Sequence, residues 1–136
     1  MATLRLEIVT PEAKTYSEDV DSVVIPGTDG EMGVLPQHAP LLTSLKPGEL
    51  RVMKDGQEIR LAVGEGFAEI THTSVNVLTD MAVKESDIDE NAAEEAIKRA
   101  EEALRNTSIS EEQSAAFAAA IQKSLAQLRV KRRRSI

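Results

Sequence analysis

The hydrophobic period of this chain changes once, near Lys84, and the change limits what each half can become. Before it, apolar residues recur at every second position. Leu4, Leu6 and Ile8 alternate with Arg5 and Glu7, and Leu50 and Val52 flank Arg51. Ile59, Leu61 and Val63 alternate with Glu58, Arg60 and Ala62, and Val75 and Val77 flank Asn76. A period of two puts one face of a strand in a core and the other in water. Val20, Val23, Val24 and Ile25 add β-branched residues, which suit a pleated surface. Between these runs stand turn signals: Pro26-Gly27, Asp29-Gly30, Pro47-Gly48 and Gly64-Glu65-Gly66. The Asp55-Gly56 pair fits a type I′ hairpin turn, whose two central residues both need positive φ. Many short strands at close spacing predict an antiparallel sandwich or barrel over residues 1–85.

After Lys84 the period is helical. Ser86-Asp87-Ile88-Asp89-Glu90 supplies a cap and first-turn acids, and a first helix is predicted to run to about Arg105. Its apolar positions are Ala92, Ala93, Ala96, Ile97, Ala100, Ala103 and Leu104. Ser110 with Gln113 fits a capping box for a second helix, with Phe117, Ile121, Leu125 and Leu128 expected on one stripe. Each helix spans about 20 residues, roughly 30 Å, and the short polar link makes residues 86–136 an antiparallel hairpin. Its seam is mostly alanine, which buries little area. The expectation is a hairpin held by a small margin, of the kind a partner can displace.

Composition narrows the chemistry. Tyr16, Phe67 and Phe117 are the only aromatics, so the core must be built from Val, Ile, Leu and Ala. Without cysteine there are no disulfides and no thiolate metal sites, and two His among scattered acids suggest no metal ligand set. No apolar run approaches the length of a membrane span, and the N-terminus lacks the pattern of a signal peptide. A cytosol-side protein is expected. The net charge of −7 is unevenly spread: residues 1–85 contribute −7, residues 86–106 contribute −4 and residues 107–136 contribute +4. The excess base is Arg129, Lys131, Arg132, Arg133 and Arg134, and such asymmetry points to an acidic partner for the tail. Nucleic acid fits poorly, because the chain is acidic overall and no aromatic lies near the tail.

The most distinctive stretch is Ile25-Pro26-Gly27-Thr28-Asp29-Gly30-Glu31-Met32-Gly33-Val34-Leu35-Pro36-Gln37-His38-Ala39-Pro40-Leu41-Leu42. With Leu45-Lys46-Pro47-Gly48, Gly64-Glu65-Gly66-Phe67-Ala68-Glu69-Ile70, Val75-Asn76-Val77-Leu78-Thr79-Asp80 and Ala126-Gln127-Leu128-Arg129-Val130, it resembles the epsilon-subunit family of bacterial F-type ATP synthases. The likeness runs in order along nearly the whole chain. Gln37 departs from it where the family usually has Gly before the His, and Glu65 interrupts what is often a Gly-Gly pair.

The resemblance implies a fold, a β-sandwich of about ten strands followed by a helical hairpin, and a role without chemistry of its own. The chain would be a rotor-stalk subunit that couples rotation to proton flow, peripheral to the cytoplasmic face of the bacterial inner membrane and not inserted in it. Its implied partners are the gamma subunit, the ring of c subunits and, when the hairpin extends, the alpha/beta catalytic head. Glu31 and Met32 match the segment that approaches the ring, and His38 a position near gamma. Arg129, Lys131, Arg132, Arg133 and Arg134 are the candidates for acidic loops of the beta subunits, a contact that would inhibit ATP hydrolysis.

Plainer readings stand beside these. Glu31 alone reads as an exposed turn carboxylate, His38 as a turn histidine between Pro36 and Pro40, and the tail as a solvated basic run. Nothing in the sequence places His38, Ser44 and Asp29 as a catalytic set. Gly27, Gly30 and Gly33 are not a dinucleotide fingerprint, since no helix follows. An alternative reading is an ATP-sensing module acting through the hairpin. Some family members bind ATP with an Ile/Leu-Asp-x-x-Arg-Ala motif. Here Ile88, Asp89 and Ala93 fit, and Arg99 matches a further basic position, but Ala92 replaces the arginine. Lys123 and Gln127 stand where helix-two arginines would be. Alanine offers phosphate no guanidinium fork, so no bound nucleotide or other cofactor is expected.

Overall fold

The computed structural model describes residues 2–106 and 108–132. Among them ten strands precede two helices: β1 (Leu4–Val9), β2 (Lys14–Val20), β3 (Ser22–Gly27), β4 (Gly30–Val34), β5 (Leu41–Leu45), β6 (Gly48–Lys54), β7 (Gln57–Val63), β8 (Gly66–Ile70), β9 (Ser74–Thr79), β10 (Ala82–Lys84), α1 (Glu90–Leu104) and α2 (Glu111–Arg132). A 3₁₀ turn, Glu85–Asp87, joins β10 to the helices. The strands follow the order β10-β7-β6-β3-β5-β8-β9-β1-β2, with β4 also on β3. The pairings are antiparallel except that of β1 with β9, which is parallel. The path crosses from one layer to the other through a single bridge, Gly27 with Leu45.

The alternation read from the sequence is the inside–outside alternation of the sandwich. Leu4, Leu6 and Ile8 of β1, Leu50 and Val52 of β6, Leu61 and Val63 of β7, and Val75 and Val77 of β9 are all fully buried in one core, with Val23, Ile25 and Ile70. Asp55 and Gly56, at φ 53° and 78°, make the type I′ turn between β6 and β7. Gly66, where β8 starts, cannot be replaced cheaply: a Cβ there would lie 1.9 Å from the Leu78 carbonyl oxygen of the paired strand. Glu65 stands just outside this close approach, which is why the second glycine of a Gly-Gly pair matters here and the first does not.

Both helix starts are capped as the sequence suggested. The Asp89 carboxylate accepts the Ala92 N–H at 3.1 Å. Ser110 and Gln113 form the reciprocal box, with Gln113 N donating to Ser110 Oγ at 3.1 Å and Ser110 N to Gln113 Oε1 at 2.9 Å. The helices are unequal, 15 and 22 residues.

The apolar stripe expected on α2 needs correction. Leu125 is 37% exposed, and the buried residues of this stretch are Ser124, Ala126, Leu128 and Val130. The physical reason is that α2 packs on two neighbours at once. Phe117, Ile121, Ser124 and Leu128, at helical spacing, make one partly to fully buried face. Ala126 and Val130 make a second, and Val130 sits at 0% exposure against Ala62 and Ile88. A helix apolar on two sides has no single stripe to read. α1 packs chiefly on α2, and α2 reaches β6 and β7.

Candidate interaction surfaces

The sandwich has two outer faces, and the sequence treats them differently. On β7 the outward residue between Leu61 and Val63 is Ala62, paired with Glu49 on β6 and Val83 on β10. Its small side chain lets α2 approach, and Val130 covers it. Four polar side chains of α2 make contacts around this apolar centre. Lys123 Nζ lies 3.7 Å from Asp80, and Gln127 Nε2 donates to Met81 Sδ at 3.1 Å. Lys131 Nζ donates to the Glu85 carbonyl at 3.1 Å, and Arg132 pairs with Glu94 and, at 4.0 Å, with Glu90 of α1. Lys123, Gln127 and Lys131 are spaced by four, so they form one edge of α2 aimed at the segment from Asp80 to Glu85.

Among the described residues no helix covers the other outer face. Across β5, β8, β9 and β1 the register aligns Ser44, Phe67, Leu78 and Val9 in one row, with Leu42, Glu69, Asn76 and Glu7 in the next. Phe67 is 55% exposed, Leu78 54% and Leu42 70%. Leu35 and Leu41 are also exposed, but Leu41, paired with the buried Ile70, lies on the other side of β5. Phe67 and Leu78, adjacent in the register with Leu42 one row away, make an exposed apolar patch of the kind that marks a surface another molecule covers. From the sequence, Phe67 and Leu78 read only as strand residues. The signal available was that Phe67, one of three aromatics, falls out of phase with the buried Ala68 and Ile70.

His38 lies in the β4–β5 connection, whose turn is bonded to the β8–β9 turn at His72. It ends the turn Leu35-Pro36-Gln37-His38, closed by His38 N donating to the Leu35 carbonyl at 3.1 Å. Pro36 second and Gln37 at φ 74° third are the signature of a type II turn, whose third position favours glycine. Gln37 therefore keeps the backbone shape of the glycine it replaces and accepts the left-handed conformation, and its N–H donates to the His72 carbonyl at 2.8 Å. His38 Nδ1 lies 2.6 Å from the Ala39 carbonyl oxygen. A carbonyl only accepts, so a hydrogen bond here requires the tautomer with the proton on Nδ1.

Glu31 lies at the opposite end of β4, beside the β3–β4 turn and paired across to Pro26. It is not a lone turn carboxylate. Arg51 of β6 donates to it at 2.7 Å and to Glu49 at 3.1 Å, and lies 3.6 Å from Glu58. The hydrogen bond from Arg51 to Glu31 is the main reason the guanidinium holds its proton more tightly than usual. Met32 is half-buried against the main core. Glu31 and Met32 thus stand at one end of β4 and His38 beyond the other. The structure also joins two residues read for different partners: Glu31 and Arg129 of α2 line one groove of about 440 Å³, with Pro26, Lys46, Glu49 and Arg51.

The basic tail is partly engaged within the chain. Arg129 is exposed, Lys131 and Arg132 are paired as above, and Arg133 and Arg134 lie outside the described residues. The residues matched to a nucleotide motif have structural positions. Ile88 is buried with Val130, Asp89 caps α1 and Ala93 is buried. Arg99 is exposed, 3.9 Å from Glu95 one turn earlier.

These features define a class: a β-sandwich that carries a helical hairpin on one outer face and leaves an apolar face open on the other. Residues 3–85 match the family model of the ATP synthase delta/epsilon chain beta-sandwich domain, and residues 86–132 that of the delta/epsilon chain long alpha-helix domain. The chain belongs to the ATP synthase delta/epsilon chain family. It is 48% identical over 104 residues to the ATP synthase epsilon chain of Desulforamulus reducens, covering 76% of this chain and 79% of that one. Among solved structures it is similar to a chain of the Euglena gracilis mitochondrial ATP synthase OSCP/F1/c-ring assembly. There the TM-score is 0.75 at 25% identity, over 94% of this chain and 80% of that one. A chain of the Tetrahymena thermophila mitochondrial ATP synthase central stalk and c-ring shares the fold, with TM-score 0.62 at 8% identity over 94% and 96%.

Proposed function

We propose that this chain is a non-catalytic rotor-stalk subunit of an F-type ATP synthase, and that its hairpin restrains ATP hydrolysis. The observation that carries this reading is the bare apolar face of β5, β8 and β9. A chain that covers one side of its sandwich with its own helices and leaves Phe67, Leu78 and Leu42 open on the other is built to be held by a partner. The gamma subunit is the proposed occupant, with His38 at the edge of the contact. The Glu31 end of β4 is proposed to meet the c-ring, with Arg51 fixing the carboxylate that would be presented. No helix among the described residues is long and apolar enough to cross a membrane, and the proposed attachment to the membrane is peripheral, through these partners.

The inhibitory part rests on α2. Its last turn carries Arg129, Lys131 and Arg132, a basic end suited to acidic loops of the beta subunits. Such charge complementarity mainly steers the encounter and sets its register. ATP hydrolysis by the assembled catalytic complex, with the full chain and with a chain ending at Glu85, tests the reading. Truncation is expected to raise the rate severalfold. An unchanged rate with coupled synthesis intact would limit the function to the β-sandwich.

ATP is not the proposed trigger. Ala92, in the place of the motif arginine, offers no side-chain donor, and Asp89 already accepts the Ala92 N–H. Calorimetry on the isolated chain is expected to show no binding at submillimolar ATP, and a measurable heat of binding in that range would reopen the sensor role.

A further inference from the structure

The connection from β7 to β8, Gly64-Glu65-Gly66, carries one side chain between two glycines that hold close contacts. A Cβ on Gly64 would lie 1.9 Å from Asp80 Oδ1, and a Cβ on Gly66 would lie 1.9 Å from the Leu78 carbonyl oxygen. The backbone at Glu65 is pinned as well. Its carbonyl accepts the Asp80 N–H at 3.2 Å and the Thr79 hydroxyl at 3.0 Å, and the same hydroxyl accepts the Gly64 N–H at 3.1 Å. Thr79 is buried, whereas Glu65 and Asp80 are exposed. A carboxylate is thus presented on a fixed backbone, at the position where the sequence departs from the family's usual Gly-Gly pair.

Glu65 stands at the end of the open face. With Val9, Pro11, Leu78 and Asp80 it lines a groove of about 380 Å³. Val9 and Leu78 belong to the outward row that also holds Phe67, so the groove continues the apolar patch. Val9, Pro11 and Leu78 supply apolar walls, and the ionisable groups of the lining are Glu65 and Asp80, both acidic. The neighbouring groove across Gly66 has Lys46 in its lining and lacks this single sign. Apolar walls that end in carboxylates fit a long basic side chain, whose stem lies on the walls while its head reaches the acids. We propose that this groove receives a lysine or arginine of the gamma subunit, and that Glu65 makes the chain selective for a gamma subunit that carries one there. The proposal rests on the reading of the open face as the gamma-docking surface and names the chemistry at its end. Asp80 already has Lys123 of α2 at 3.7 Å, so Glu65 is the stronger attractor of the two. A charge at the rim of an interface mainly sets the encounter rate and the choice of partner, because a like charge opposite it is repelled.

Binding of the full chain to a catalytic complex of alpha, beta and gamma subunits, without the c-ring, tests this. Glu65 is exposed, so its variants are expected to keep the parent's thermal midpoint. Glu65→Gln is expected to weaken binding about two- to fivefold at low salt, the range of one part-exposed ion pair. Glu65→Lys is expected to weaken it about tenfold or more, since repulsion replaces attraction. Both losses should shrink at about 0.5 M salt, where exposed charges are largely screened. Glu12→Lys makes the same change of charge at an exposed position of the β1–β2 turn, outside the lining of the groove, and is expected to stay within about twofold of the parent. Parent-like binding of Glu65→Lys at low salt, or an equal loss with Glu12→Lys, would overturn the proposal. Phe67→Ser separates it from the reading beneath it. A loss with Phe67→Ser and none with Glu65→Lys would overturn the cation site and keep the docking face, whereas a loss with neither would overturn the docking face as well.

Discussion

Tyr16 is the only tyrosine in a chain without tryptophan, and its setting makes it a reporter of the sandwich. Its ring is 4% exposed, its hydroxyl has no hydrogen-bond partner among the described residues, and Lys84 Nζ lies 5.7 Å above the ring. Burial pushes the phenol above its ordinary 10.0, and the negative charge of Glu18 adds to the shift. The folded state therefore disfavours the phenolate. A pKa raised on folding gives a contribution that is fully present below the unfolded value. It is lost as pH rises through the folded one. Stability should thus not vary with the titration of this group near neutral pH, and should fall above about pH 10. Absorbance near 295 nm is expected to titrate with a midpoint above 10 in the folded chain and near 10 in denaturant. A folded midpoint at or below 10 would mean the ring is not held as described. Glu18 shows the opposite case: the hydrogen bond from Lys54 lowers its pKa, so that contribution fades only as pH falls below the usual carboxylate range.

At the scale of elements, the hairpin is anchored at one end. α1 has its main contact with α2, and the first half of α2 leaves Ala115, Ala116, Ala118 and Ala119 in solvent. The docking falls to the second half, between Lys123 and Arg132, with Val130 as its apolar centre. Val130→Ala removes two buried methyls and should cost about 1–2.5 kcal/mol. The cost should fall on the hairpin alone, because Val130 packs outside the main core. Hydrogen exchange is expected to quicken throughout α1 and α2 while the strands keep their protection. Loss of protection in β6 and β7 to the same degree would show that the hairpin and sandwich unfold as one unit. The sequence told much of this story but not where the anchor lies. Strands, caps and the Asp55-Gly56 turn were legible because each is set by residues within a few positions. The second face of α2 was not legible, because Ala126 and Val130 become a face only when Ala62, far off in the chain, presents a small outward side chain for them to cover. The same distance hides the Glu31–Arg51 pair, whose members are separated by 20 positions and meet through the β3–β6 pairing.

For the whole molecule, the decisive asymmetry is between a covered face and an open one. The row Ser44–Phe67–Leu78–Val9 faces outward from a sheet whose inner side is fully packed, so these side chains contribute little to the fold. They are free to serve contact. Phe67→Ser with Leu78→Ser is expected to leave the thermal midpoint within a few degrees of the parent, since surface substitutions away from caps and cores usually stay within about 0.5 kcal/mol each. The same pair should weaken binding to the gamma subunit at least tenfold, because a half-exposed aromatic at the centre of an apolar patch is the kind of residue that dominates an interface. Both readouts are needed. A large drop in thermal midpoint would mean the row supports the sandwich and says nothing of a partner. An unchanged midpoint with unchanged gamma affinity would move the docking surface elsewhere, and the groove shared by Glu31 and Arg129 would become the next place to mutate. A stable variant that no longer holds gamma would tie the open face to assembly, and leave the covered face, with its anchored hairpin, for control.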